Sequence, residues 1–107
     1  MKIYIAAPYT KGDVARNVYN AIEAAEELVA LGHTPFIPHL THFWHIIIPH
    51  PIDFWYKQDL AWLDCCDAVL RLSGESVGAD NEVMFAQKKG MPVYYKLSDL
   101  PPARPNP

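Results

Sequence analysis

The sequence predicts a doubly wound α/β domain, and three observations carry that expectation. Short segments of strand length and largely apolar content recur at residues 3–7, 33–38, 67–72 and 92–96. Between them lie segments with helical spacing, the clearest placing Val14, Val18, Ala21, Ile22, Ala25, Leu28 and Val29 at intervals of one to four residues. Strand and helix therefore alternate along the chain, the pattern of a parallel sheet covered on both faces.

Each element has its own justification. The loop 8–13 separates the first strand from the first helix, with Asp13 as N-cap and Gly32 as the residue past the C-cap. Glu23, Glu26 and Glu27 fall off the apolar stripe, as a solvated face requires. The second strand carries Pro35 and Pro38, which suits an edge position. A strand, helix and strand in succession imply parallel pairing with a right-handed crossover. Residues 39–51 hold four histidines, Trp44 and three isoleucines among prolines, and no element is assigned to them. A second helix is expected over about 53–65, with Trp55, Leu60, Trp62 and Leu63 supplying apolar contacts. Asp67 opens the third strand, a helix over about 80–89 is stopped by Gly90 and Pro92, and the fourth strand follows. The tail from Leu100 onward contains four prolines and is expected to lack regular structure.

A chain of 107 residues supplies one core, and its 50% apolar and 20% charged content is that of a globular protein. A net charge of -3 leaves no basic footprint, which argues against a dedicated nucleic-acid binder. Residues 1–8 read as a strand and not a signal peptide, and no apolar run approaches a membrane span. The adjacent Cys65 and Cys66 cannot staple distant segments, so reduced thiols and a cytoplasmic location are expected.

The chemistry is expected in the loop and helix at residues 73–86. Gly, Ser and two acids at the carboxyl end of a strand stand where open α/β sheets hold their ligands, and the N–H groups of a helix start face an anion there. Glu82, read as lying in the first helical turn, is expected to be kept ionised by the helix dipole, which suits a nucleophile better than a proton donor. The competing reading is a plain turn with an acid that complements the dipole. Asp80 is either a helix cap or a ligand for sugar hydroxyls, and Arg71 is expected at the surface or an interface.

Three stretches resemble the nucleoside 2-deoxyribosyltransferase family, and within it more closely the 2'-deoxynucleoside 5'-phosphate N-hydrolases. They are Ile3-Tyr4-Ile5-Ala6-Ala7-Pro8-Tyr9, Gln58-Asp59-Leu60-Ala61-Trp62-Leu63 and Ser76-Val77-Gly78-Ala79-Asp80-Asn81-Glu82. Asp67, Ala86 and Gly90 also fit. The resemblance implies a Rossmann-like doubly wound sheet of about four or five mainly parallel strands with helices on both faces. It further implies a single domain over residues 1–97, with a Pro-rich tail at 98–107.

In function it implies cleavage of the N-glycosidic bond of a 2'-deoxynucleoside or its 5'-monophosphate, by hydrolysis or by transfer to another base. Glu82 falls on the nucleophile, Asp59 on the catalytic acid or base, and Tyr4 near the reacting sugar, where it would orient Glu82. Ser76 and Gly78 fall on phosphate-holding positions, with Asp80, Ala7, Tyr9, Arg16 and His39 as further substrate-binding residues. The first loop lacks the arginine the N-hydrolases carry there, so Lys11 or Arg16 would substitute. No cofactor or metal is implied. The expected partners are a small-molecule nucleoside or nucleotide and copies of the chain itself, as a homodimer or higher homo-oligomer, with no nucleic-acid polymer and no membrane. Trp44, Ile46, Ile47, Ile48 and Trp55 supply the apolar surface for such assembly.

Two other classes compete. His39, His42 and His45, three residues apart with His50 close behind, make a metal hydrolase conceivable, although the spacing fits no common zinc motif. A non-catalytic nucleotide-binding or sensor module on the same scaffold is the other, and the presence of both Asp59 and Glu82 argues against it.

Overall fold

A computed structural model describes residues 1–101, and the part of the expected tail at 102–107 lies outside the described residues. Strands β1 (Lys2–Ala6), β2 (Thr34–Phe36), β3 (Ala68–Arg71) and β4 (Val93–Tyr94) form one sheet in the order β2-β1-β3-β4. Every neighbouring pair is parallel, with Tyr4 opposite Phe36 on one side and Val69 on the other. β2 takes the edge, where Pro35 leaves no central ladder short of a donor.

The two faces of the sheet are sorted by the period of two along each strand. Ile3, Ile5, Ala68 and Leu70 point to one face and pack against Ala21, Ala24, Ala25 and Leu28 of α1 (Val14–Ala30). Tyr4, Ala6 and Val69 point to the other face. There they meet Leu63 of α3 (Ile52–Leu63) and Ala79, Val83 and Ala86 of α4 (Val77–Lys88). Helices thus cover both faces, and the doubly wound α/β expectation holds with four strands.

Local chemistry sets the element ends. The Asp13 side chain accepts from the Arg16 N–H and starts α1, and Gly32, at φ +87°, turns the chain out of it. α4 begins at Val77 and not near residue 80. The extended Ser76 turns its hydroxyl onto the Ala79 N–H, and that cap nucleates an extra turn. Residues 39–51, assigned no element from sequence, form a 3₁₀ turn (Pro38–Thr41) and the short helix α2 (His42–Ile47), none of whose residues is buried. A further 3₁₀ turn, Leu97–Asp99, follows β4, and Leu97 and Leu100 pack against the α1-side core. Among the described residues no helix is long and apolar enough to cross a membrane.

Candidate active site

The chain leaves β1 toward β2 in one direction and β3 toward β4 in the other, so the sheet order reverses between β1 and β3. Such a switch point opens a crevice at the carboxyl ends of the strands. A cleft of about 840 Å³ lies there. Its walls come from Ala7 and Tyr9 after β1, Pro38 and His39 after β2, Ser76 to Ala79, Asn81 and Glu82 after β3, and one side of α3.

The buried stripe of α4 runs Ala79, Glu82, Val83, Ala86, so an acid occupies a position that spacing reserves for an apolar residue. Glu82 is 6% exposed. Its Oε2 accepts a hydrogen bond from the phenol of Tyr4, which is wholly buried and faces it because even-numbered residues of β1 point to this side. Tyr4 stacks on Phe36, and Phe36 stacks on Trp62, so the phenol is held by an aromatic column running from β1 to α3. Burial, with Glu82 and Asp59 nearby, drives the Tyr4 pKa upward, and the hydroxyl remains a donor.

Glu82 departs from the sequence expectation in one respect. With Ser76 as N-cap it lies in the second turn of α4, out of reach of the first-turn dipole field. Burial pushes its carboxyl up to about 8; Asp59 adds to the rise, while the Tyr4 hydrogen bond and Arg71 oppose it. Asp59 lines the same cleft one helical turn before the buried Leu63, and burial raises its carboxyl to about 7. The site therefore holds two coupled carboxyl groups, both of which change protonation near neutrality.

Arg71 is a correction of another kind. It is buried, not a surface residue, because odd and even positions of β3 alternate and Arg71 shares the α4 side with Val69. Its guanidinium donates to the carbonyls of Leu72 and Gly74 (2.9 Å for the latter) and pairs with Asp80 at 3.0 Å. It thereby shapes the loop between β3 and α4 from within. Asp80 is held by Arg71 and does not line the cleft, where one of its two expected roles, a ligand for sugar hydroxyls, would place it, and the N-cap is Ser76. Gly74, at φ +118°, brings that loop against the first one, since a Cβ there would stand 2.8 Å from the Pro8 side chain.

The first loop is tied down by Asn17, whose amide donates to the carbonyls of Tyr9 and Lys11 at 2.9 and 2.8 Å. Lys11 reaches the cleft and pairs with Glu75 at 3.0 Å, whereas Arg16 is exposed, lies over the Tyr19 ring and does not line the cleft. Ala7, Tyr9, Ser76, Gly78 and His39 all line it. His39 Nε2 donates to the Pro8 carbonyl at 2.8 Å, which puts the ring proton on Nε2. Its buried Nδ1 has no partner among the described residues, and burial lowers its pKa so that the ring stays neutral.

The histidines do not converge. His42 bonds the Tyr9 hydroxyl, His45 accepts from Trp55, and His50 stacks on Phe54. Among the described residues no group of three or more His, Cys, Asp or Glu side chains is arranged to hold a metal ion. Arg71 and Asn17 were not singled out by motif. The signal for Arg71 is a charge inside a four-residue strand whose other members are Ala, Val and Leu.

A family described as a domain of unknown function, DUF7768, matches residues 1–96. The chain belongs to the DUF7768 family. No curated protein matches the sequence. Among solved structures, the chain is similar to a 2-deoxyribosyltransferase from Bacillus psychrosaccharolyticus, at a TM-score of 0.66 and 24% identity over 87% of this chain and 69% of that one. This likeness establishes that a DUF7768 domain has the α/β fold of that enzyme.

Proposed function

We propose that this DUF7768 protein cleaves the N-glycosidic bond of a 2'-deoxynucleoside or its 5'-monophosphate. The observation that carries the reading is the pair Glu82 and Asp59 in one cleft, with Glu82 held by Tyr4. The fold likeness to a 2-deoxyribosyltransferase supports it. Residues 1–97 act as the single catalytic domain of a cytoplasmic enzyme that works without a metal.

A carboxylate oxygen of Glu82 attacks the anomeric carbon as the bond to the base nitrogen breaks. The bonding pair leaves with the base, and Asp59 supplies its proton. Water or a second base then attacks the same carbon, gives its proton to Asp59 and releases Glu82. Tyr4 fixes Glu82 Oε2, leaving Oε1 for the attack. Ser76 and Gly78 receive the 5' end of the substrate, since the Ser76 hydroxyl keeps its proton to donate and the Val77 and Gly78 N–H groups at the start of α4 precede the first capped one, that of Ala79. Lys11 supplies positive charge on the facing loop. Phe43, Ile46, Ile47, Ile48 and Ile52 are each more than half exposed, and they support assembly with further copies of the chain.

The test is incubation with a panel of deoxynucleosides and their 5'-monophosphates, with EDTA present, following free base by chromatography with and without a second base. Base release is expected, and release without an acceptor identifies a hydrolase while exchange alone identifies a transferase. No release under any condition overturns the reading in favour of a binding module. A monomer mass by light scattering overturns the assembly.

A further inference from the structure

The wall of the cleft nearest α2 uses side chains that the proposed chemistry does not need. His45 and Trp55 both line the cleft, and the Trp55 indole N–H donates to His45 Nδ1 at 2.7 Å. The His50 backbone N–H reaches the same nitrogen at 3.3 Å. Both groups are donors only. His45 Nδ1 must therefore present its lone pair, and the ring carries its proton on Nε2, which has no hydrogen-bond partner among the described residues. Stacking of His50 on Phe54, with ring centroids 3.9 Å apart, and the edge contact of Trp44 with Trp55 hold this arrangement from behind.

Trp55 lies four residues before Asp59 on α3, about 6 Å along the helix axis. Asp53, an exposed residue about 9 Å from Asp59 along the same axis, also lines the cleft. A base that leaves beside Asp59 thus lies in a cleft whose wall also carries the His45 donor and the Asp53 carboxyl.

We propose that His45 and Asp53 select the nucleobase, favouring one that presents a carbonyl oxygen beside a ring N–H over one that presents an amino group beside a bare ring nitrogen. The carbonyl accepts from His45 Nε2–H, and the ring N–H donates to Asp53. A 6-amino purine reverses both roles and leaves the donor facing a donor. This inference rests on the glycosidic reading only for the position of the base relative to Asp59.

The test compares deoxyinosine with deoxyadenosine, and their 5'-monophosphates, which differ only at that edge. The full chain is expected to release hypoxanthine with a kcat/KM about tenfold or more above that for adenine. Calorimetry is expected to give free hypoxanthine tighter binding than free adenine by a similar factor. His45→Leu, which leaves Asp53 in place, is expected to narrow both ratios while deoxyadenosine is still turned over. Trp55→Phe keeps an aromatic ring but removes the shorter of the two bonds that fix the His45 tautomer, and it is expected to narrow both ratios; it carries the test if His45→Leu melts early by circular dichroism. Wild-type ratios near one, or ratios unchanged in the folded variants, overturn the assignment. If no substrate is cleaved but free hypoxanthine still binds better and that preference narrows in His45→Leu, the glycosidic reading fails and the base-selecting wall stands.

Discussion

The phenol of Tyr4 donates to the Glu82 carboxylate across 78 residues of sequence, joining the inner strand β1 to α4 at the floor of the cleft. The bond opposes the rise in the Glu82 pKa that burial imposes, so it both aims the carboxylate and keeps its ionised form within reach of neutral pH.

Tyr4→Phe retains the ring stacked on Phe36 but removes the donor. Turnover is expected to fall on the order of 10–100-fold from the loss of orientation. The pH optimum is expected to move upward, because Glu82 then ionises at higher pH. Rate profiles of both proteins check this, and an unmoved optimum counts against the positioning role.

Glu82 must be ionised to attack and Asp59 protonated to assist departure, so the working form carries one proton, on Asp59, and is the minor of the two one-proton forms because Glu82 has the higher pKa. With the two groups near 8 and 7, both carboxyls are protonated well below pH 7 and both are ionised well above pH 8. A narrow bell centred between those values is expected in kcat/KM. A profile flat from pH 6 to 9, a range of about three units around neutrality, contradicts the coupled pair.

Glu82→Gln removes the charge and keeps an acceptor for Tyr4. Because the folded protein holds the Glu82 proton more tightly than the unfolded chain does, the native carboxyl loses stability as pH rises from the ordinary carboxylate range through about 8. The variant is expected to be inactive and more stable above pH 8. A gain on the order of 1 kcal/mol would raise the melting temperature by about 4–8 °C in a domain of this size. Below pH 4, near the ordinary carboxylate pKa, the two proteins are expected to melt together.

Arg71→Met leaves the carbonyls of Leu72 and Gly74 without their donor and releases Asp80. A loss of about 2–4 kcal/mol is expected by urea unfolding, because a buried charged donor is removed from partners that stay. A change below about 0.5 kcal/mol would show that the loop is held by other contacts.

Ser76→Ala removes the side-chain cap on Ala79 N and is expected to cost about 0.5–2 kcal/mol. If the hydroxyl also receives the 5' end, KM for a monophosphate rises more than KM for the unphosphorylated nucleoside. Equal increases would confine Ser76 to capping.

Local chemistry made much of the fold legible in the sequence. The stripe from Val14 to Val29, Asp13 and Gly32 fixed α1, because periodicity and caps act within a few residues. Pro35 and Pro38 marked β2 as an edge for the same reason. The start of α4 lies about three residues before the expected one, because Ser76 reads equally as turn or cap until its dihedral angles are known.

The sequence by itself determined the alternation of strand and helix, the parallel first pair and the presence of two acids in recognisable segments. Tertiary structure alone decided what those acids are. Burial raises Glu82 and Asp59 because water is excluded where β1, α3 and α4 converge, which no local window contains. The same packing turned Arg71 inward, left Arg16 and Asp80 outside the cleft, and tied the four neighbouring histidines to aromatic and backbone partners with no common metal-binding point among the described residues. Direction of a side chain on a strand or helix is set by what packs against it, and those neighbours are distant in sequence.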